Sequence, residues 1–432
     1  MRTSLILIGL AASVSVFAAT EKSAQFYVAP NGNDAWSGRL AEPSADKSDG
    51  PFATVQGAKA ALRENFRNWS HKDGEVVPVE ILVREGTYRV SGPITFTNED
   101  MLWFVTPRRN VTYAAYPGEH PIISGGVPIT NWKQEANLWV AELPEVAAGT
   151  WDFTALWVNG EYRWRARTPN DGYLRTAGTA PTIKDAEGKE VQSTVAFKFA
   201  PGDIQHWENI EDALIVAMHS WDTSHNHIAS IDDANQIVTL VGGSGPWPFE
   251  KWGPKQRYYV EGVREALDAP GEWYLDRKKG LLYYWPKAGE DPTKTEVIAP
   301  KATQLIRFEG KPAEGRYVEN IVFRGLAFHH TNHVLPQEGL PCEQAAHSVP
   351  GAIDGDGAKN CAIEDCEIAH IATYGVWLRE GCTDNVIRKN HIHDMGAGGV
   401  RIGVGNDPKT EGEATLRNVV DNNWIHDGGK KY

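Results

Sequence analysis

Two His-Asp pairs, His393-Asp394 and His426-Asp427, close successive copies of one short pattern. Ile387-x-x-Asn390-x-Ile392 leads into the first and Val420-x-x-Asn423-x-Ile425 into the second. Stacked strands lie about 4.8 Å apart, so matched aspartates fit the separation of about 5–5.5 Å that retaining glycoside cleavage needs. Asp394 and Asp427 are the candidate catalytic pair; the alternative is a turn aspartate that bonds its own backbone. Asp354, Asp356 and Glu380 form a second carboxylate set near strand ends, although Asp-Gly-Asp-Gly also reads as a plain turn. Trp377 and Arg401 occupy matching places in Gly375-Val376-Trp377-Leu378 and Gly399-Val400-Arg401-Ile402. With Val376 and Leu378 inward, Trp377 points outward. An outward Trp beside an outward Arg suits a sugar platform with a hydrogen-bonding fork; a cation–π pair under a loop is the other reading. Asp356, Glu380, His393 and His426 complete the candidate substrate-binding set.

Histidines are dense in the same region: His329, His330, His333, His370, His391, His393 and His426. His393 and His426 match, but no carboxylate or cysteine triad of strong metal spacing stands out beside them, so no metal is expected. His219, Trp221, Asp222, His225 and His227 read as packing residues, with a cleft as the alternative. There is no nucleotide-binding glycine loop and no G-x-S-x-G elbow, and no organic cofactor is expected.

The elements that must position these residues are short strands. Phe323-x-x-Leu326-x-Phe328, Ile363-x-x-Cys366-x-Ile368 and the two segments above align at offsets of 40, 24 and 33 residues. A rung of about 24 residues with longer excursions is the signature of a parallel β-helix. It predicts Ile363, Ile387 and Val420 in one inward column, with Asn390 and Asn423 stacked as a ladder. Near the start, Phe52, Val55, Ala58 and Leu62 fall at helical spacing, with Thr54 as N-cap. Between about 131 and 300 the chain is tryptophan-rich and aperiodic, which predicts a β-rich sandwich- or barrel-like module inserted between residues 19–130 and 301–432 of one solenoid. Cys342, Cys361, Cys366 and Cys382 allow three pairings; small buried thiols are the default.

Composition narrows the function. Among 432 residues, Lys and Arg number 43 and Asp and Glu 56, a net charge of −13, which disfavours nucleic acid. The 16 tryptophans exceed the tyrosines and the phenylalanines, as sugar-stacking surfaces or large β cores require. Arg2, the apolar run Leu5 to Ala12 and Val16-Phe17-Ala18 read as a signal peptide cut after Ala18. That run is too short to span a bilayer of about 30 Å. The expectation is a periplasmic or secreted monomer without a membrane span.

Tyr27-Val28-Ala29-Pro30-Asn31-Gly32-Asn33-Asp34 and Gly50-Pro51-Phe52-Ala53-Thr54 resemble the first coil of right-handed, pectate-lyase-like β-helix proteins acting on carbohydrates. Leu156-Trp157-Val158-Asn159-Gly160, Arg163-Trp164-Arg165-Ala166-Arg167, Gly271-Glu272-Trp273-Tyr274-Leu275-Asp276, His347-Ser348-Val349-Pro350-Gly351-Ala352 and His391-Ile392-His393-Asp394 resemble glycoside hydrolase family 141. That resemblance implies cleavage of fucosides or xylan-type chains. It also implies further coils bearing catalytic carboxylates after Tyr432, so this chain is expected to be a shortened form, weakly active or inactive alone. The reading is a glycoside hydrolase acting on poly- or oligosaccharide by carboxylate acid/base chemistry. The alternatives are a polysaccharide lyase using calcium and a basic residue such as Arg401 or Lys389, and a non-catalytic glycan-binding protein.

Overall fold

The computed structural model describes residues 24–68, 78–101, 110–184, 188–341 and 344–432. The proposed signal segment and Cys342 lie outside them. Three parallel sheets wind into a β-helix. The first runs Ala24–Val28, Val79–Val83, Val111–Ala115, Ile321–Arg324, Ala362–Glu364, Val386–Arg388 and Val419–Asp421. The second runs Thr87–Arg89, Ile122–Ser124, Ala327–Thr331, Glu367–Ile371, His391–Ile392 and Trp424–Ile425. The third runs Ile94–Phe96, Ile306–Glu309, Gly351–Asp356, Tyr374–Leu378 and Val400–Ile402.

Alternation fixes which side chains fill the coil, because successive residues of a strand point to opposite faces. Phe26, Ile81, Tyr113, Phe323, Ile363, Ile387 and Val420 are register partners in one column. The column is buried through Ile387, while Val420 on the last rung is 45% exposed. Corners are turned by single left-handed residues. His330, His370, Asp394 and Asp427 take φ of 66°, 55°, 52° and 54° at one corner. Asn320, Asn360, Asp384 and Arg417 do the same at another. Asn and Asp adopt this region more readily than other non-glycine residues, which explains much of the corner chemistry.

Asparagine ladders hold the rungs together. Asn423 Oδ1 accepts from both the backbone and side-chain nitrogens of Asn390, each at 2.9 Å. Asn390 Oδ1 in turn accepts the Cys366 N–H at 3.0 Å, and its Nδ2 donates to the Ile363 carbonyl at 2.9 Å. Asn385 and Asn418 repeat the device. Cys361, Cys366 and Cys382 are buried free thiols, and burial pushes each up to about 12. Asn390→Ala strands several buried backbone groups and is expected to cost about 2 kcal/mol. The check is a lower urea midpoint with an unchanged slope.

The helix Val55–Asn68 closes the first coil. Thr54 Oγ1 accepts the Gly57 N–H at 2.8 Å, an N-cap. Phe52, Val55, Ala58 and Leu62 join the solenoid core. Residues between Ser124 and Ile306 leave the stack without breaking it. Ile94–Phe96 pairs directly with Ile306–Glu309, and Ile122–Ser124 with Ala327–Thr331. The excursion forms antiparallel sheets. The largest includes Leu214–Met218, Thr223–Asp232, Ile237–Leu240 and Arg257–Glu261. Aromatic cores around Trp139, Trp273 and Tyr284 and around Phe197 and Tyr258 fill the module. No helix among the described residues is long and apolar enough to cross a membrane.

Candidate active site

The sequence-derived site residues fall on two separate faces. On the third sheet, Arg307, Asp354, Trp377 and Arg401 are register partners. Arg307 donates to Asp354 Oδ1 and Asp356 Oδ2, both at 3.0 Å. Arg379 Nε and the Glu380 backbone N–H donate to Asp356 Oδ1 at 3.2 and 3.3 Å. Asp354 is 1% exposed. Burial pushes its carboxyl up, against the Gly351 N–H and the charges of Arg307 and Arg379. The expected sugar platform is corrected here. Trp377 does leave the coil interior, but it is 5% exposed. The Arg401 guanidinium lies 3.7 Å from its ring centroid and that of Arg379 4.2 Å. Its Nε1 donates to the Gly403 carbonyl at 2.8 Å. The ring is a covered cation–π partner, with no open face for a sugar.

The second group lies on the second sheet and its corner. Asp394 and Asp427 stand one rung apart, with the Met395 N–H donating to the Asp427 carbonyl. Their environments differ, which corrects the symmetric catalytic pair. Asp394 Oδ2 accepts from His370 Nδ1 at 2.6 Å and from Trp157 Nε1 of the module at 2.8 Å. Its Oδ1 accepts from Lys430 Nζ at 2.5 Å. Burial acts to raise this carboxyl, but the hydrogen bonds and charges of His370 and Lys430 outweigh it and hold it at about 2. A group this occupied is a joint between module and solenoid. Asp427 is exposed and accepts from His426 Nδ1 at 3.0 Å. His393 Nε2 sits 3.0 Å from Glu367 Oε1. No carboxylate or cysteine triad of strong metal spacing stands out in the sequence beside His393 and His426; the structure brings Glu367 onto His393. Aligning Glu367-Ile368 with His391-Ile392 and Trp424-Ile425 reveals it.

Module and last rungs enclose a cleft of about 640 Å³, lined by Trp221, Asp222, Arg257, Tyr374 and His426 among others. Of the sequence-derived catalytic and substrate-binding residues, only His426 lines it. A hairpin makes its module wall. Leu214–Met218 pairs with Thr223–Asp232, and His219 to Asp222 form the tip, closed by His219 N–H to the Asp222 carbonyl at 2.9 Å. The tip places Trp221 and the half-buried Asp222 at the cleft wall. Asp222 Oδ1 is buried without a hydrogen-bond partner, an unusual state for a carboxylate oxygen. Trp221 is 53% exposed and continues into Trp252 and Trp247, with centroids 4.7 and 5.9 Å apart along the row. The packing reading holds for His225, which is fully buried and pushed down to about 4 by desolvation. It fails for Trp221 and Asp222. Their spacing at a four-residue hairpin tip was the available signal.

Residues 136–287 match the description "GH141 insertion domain" and residues 306–431 match "Right handed beta helix region". A solved structure titled "Glycoside hydrolase" superposes with a TM-score of 0.74 at 22% identity, covering 94% of this chain and 74% of that one. Another, "The complex structure of XylC with xylose", gives 0.49 at 15% identity, covering 94% and 54%. At these identities the likeness concerns the fold. No curated protein sequence matches the chain.

Proposed function

We propose that this carbohydrate-active β-helix protein, related to glycoside hydrolase family 141, is an extracytoplasmic hydrolase of plant-type or fucosylated polysaccharide. The observation that carries the reading is the hairpin tip, where an exposed Trp row adjoins the Asp222 carboxylate at the wall of a sugar-sized cleft. Flat indole faces stack on sugar rings while their N–H edges stay wet. Glycoside hydrolysis needs one carboxyl to protonate the leaving oxygen and a second to attack the anomeric carbon or to activate water. Asp222 is assigned one role. Asp427, hydrogen-bonded to the cleft residue His426, is assigned the other. The chemistry asks for no organic cofactor, and the chain acts as a monomer. The apolar run after Arg2 and the Ala18 cleavage pattern support export.

Incubation with xylan-type and fucosylated glycans is expected to release new reducing ends without the ultraviolet absorbance of an unsaturated sugar. Calcium-dependent growth of that absorbance would replace hydrolysis by elimination. Tight glycan binding without any product would leave a binding protein.

A further inference from the structure

We propose a divalent transition-metal site of the zinc class on the outward face of the second sheet, held by Glu367, His391 and His393. One ligand atom from each lies within 4.8 Å of the others. The strands deliver them together. Glu367 and His391 are register partners, and His393 lies two residues beyond His391 on the same face, while Ile368 and Ile392 fill the core. The His391 and His393 rings stack with centroids 4.0 Å apart. Glu367 reaches His393 Nε2 through Oε1 at 3.0 Å and His329 Nε2 through Oε2 at 3.1 Å.

His391 Nε2 and His426 Nε2 face each other at 2.8 Å. Two imidazole nitrogens at this distance share one proton at best. An ion that takes the His391 lone pair removes this conflict. Imidazole nitrogens with one carboxylate suit zinc and its neighbours, whereas calcium and magnesium prefer all-oxygen sets. Zinc takes nitrogen and carboxylate oxygen at about 2.0–2.2 Å, so side-chain adjustment alone closes the triad around it. Two histidines and a glutamate leave a fourth tetrahedral position for water or an anionic oxygen. Glu367 and His391 also line a neighbouring cleft of about 400 Å³ with His120 and Lys389, which gives that position a route to solvent. Trp424 stacks on His391 at 4.4 Å and 7°, fixing the ring plane. His329 hydrogen-bonds to Glu367 and orients it, as outer partners of metal sites do.

The test uses tag-free full chain stripped with a chelator. Zinc is titrated by calorimetry, and cobalt(II) by its visible absorption. The expected result is one ion per chain, with a tetrahedral cobalt spectrum. Glu367→Gln, His391→Ala and His393→Ala should each weaken zinc binding at least about 100-fold, and His329→Ala about 10-fold. His206→Ala, in the module beside Asp233, should change nothing. Should a histidine variant fail to fold, E367Q keeps the shape of the side chain and decides the question. Absence of stoichiometric binding by the wild-type chain, or unchanged affinity in E367Q, would overturn the proposal.

Discussion

Asp222→Asn is expected to lower turnover on a glycan substrate about a thousandfold while glycan binding persists. The magnitude is that of a removed general acid or base. The reason lies in the hairpin tip. Asp222 lines the cleft and its Oδ1 accepts no hydrogen bond within the protein, so this carboxylate is the acidic group at the tip that is placed to exchange a proton with a bound glycan. Asparagine preserves the side-chain shape and the backbone bond from His219 to the Asp222 carbonyl, and changes only the proton chemistry. Trp221→Ala should act on the other parameter, raising KM with a smaller effect on kcat, because stacking binds ground and transition states alike. Steady-state assays of both variants, with binding followed by tryptophan fluorescence, make the comparison. An Asp222→Asn protein retaining a tenth or more of wild-type turnover would remove Asp222 from the chemistry.

Asp394→Ala is expected to destabilise the protein by about 3–5 kcal/mol, the cost of breaking a buried ion pair. The substitution leaves Lys430 Nζ, His370 Nδ1 and Trp157 Nε1 without their acceptor at the join of module and solenoid. The sign of the pH effect follows from the depressed carboxyl. Its folded value of about 2 lies below the ordinary 3.8. The contribution is therefore fully present above 3.8 and is lost as pH falls toward 2. It amounts to about 2 kcal/mol. Urea melts of wild type and variant should differ less near pH 2 than at neutral pH, the gap narrowing by up to about 2 kcal/mol. Equal midpoints at neutral pH would show that Asp394 is not the joint described here.

The sequence carried the solenoid because its signals are local and repeat. Ile363, Ile387 and Val420 align by spacing alone, and the structure stacks them in register. The Asn390–Asn423 ladder follows from the same repeat, as the Thr54 cap does from helical spacing. Residues facing away from the coil were legible only by position. Trp377 was read correctly as outward, but its Arg379 cover came from a strand end whose side-chain direction no period specifies.

What sequence by itself determined was therefore the inward half of the molecule. Apolar side chains at period two must be buried, and a rung can bury them only against its neighbours. Tertiary structure alone decided the chemistry of the outward half. Asp394 and Asp427 are equivalent in the repeat, yet Trp157, 237 residues earlier in the chain, closes over Asp394 and leaves Asp427 in water. Asp222 gained its cleft from rungs about 200 residues downstream. An inward residue answers to its own strand, whereas an outward one answers to whichever distant surface packs against it.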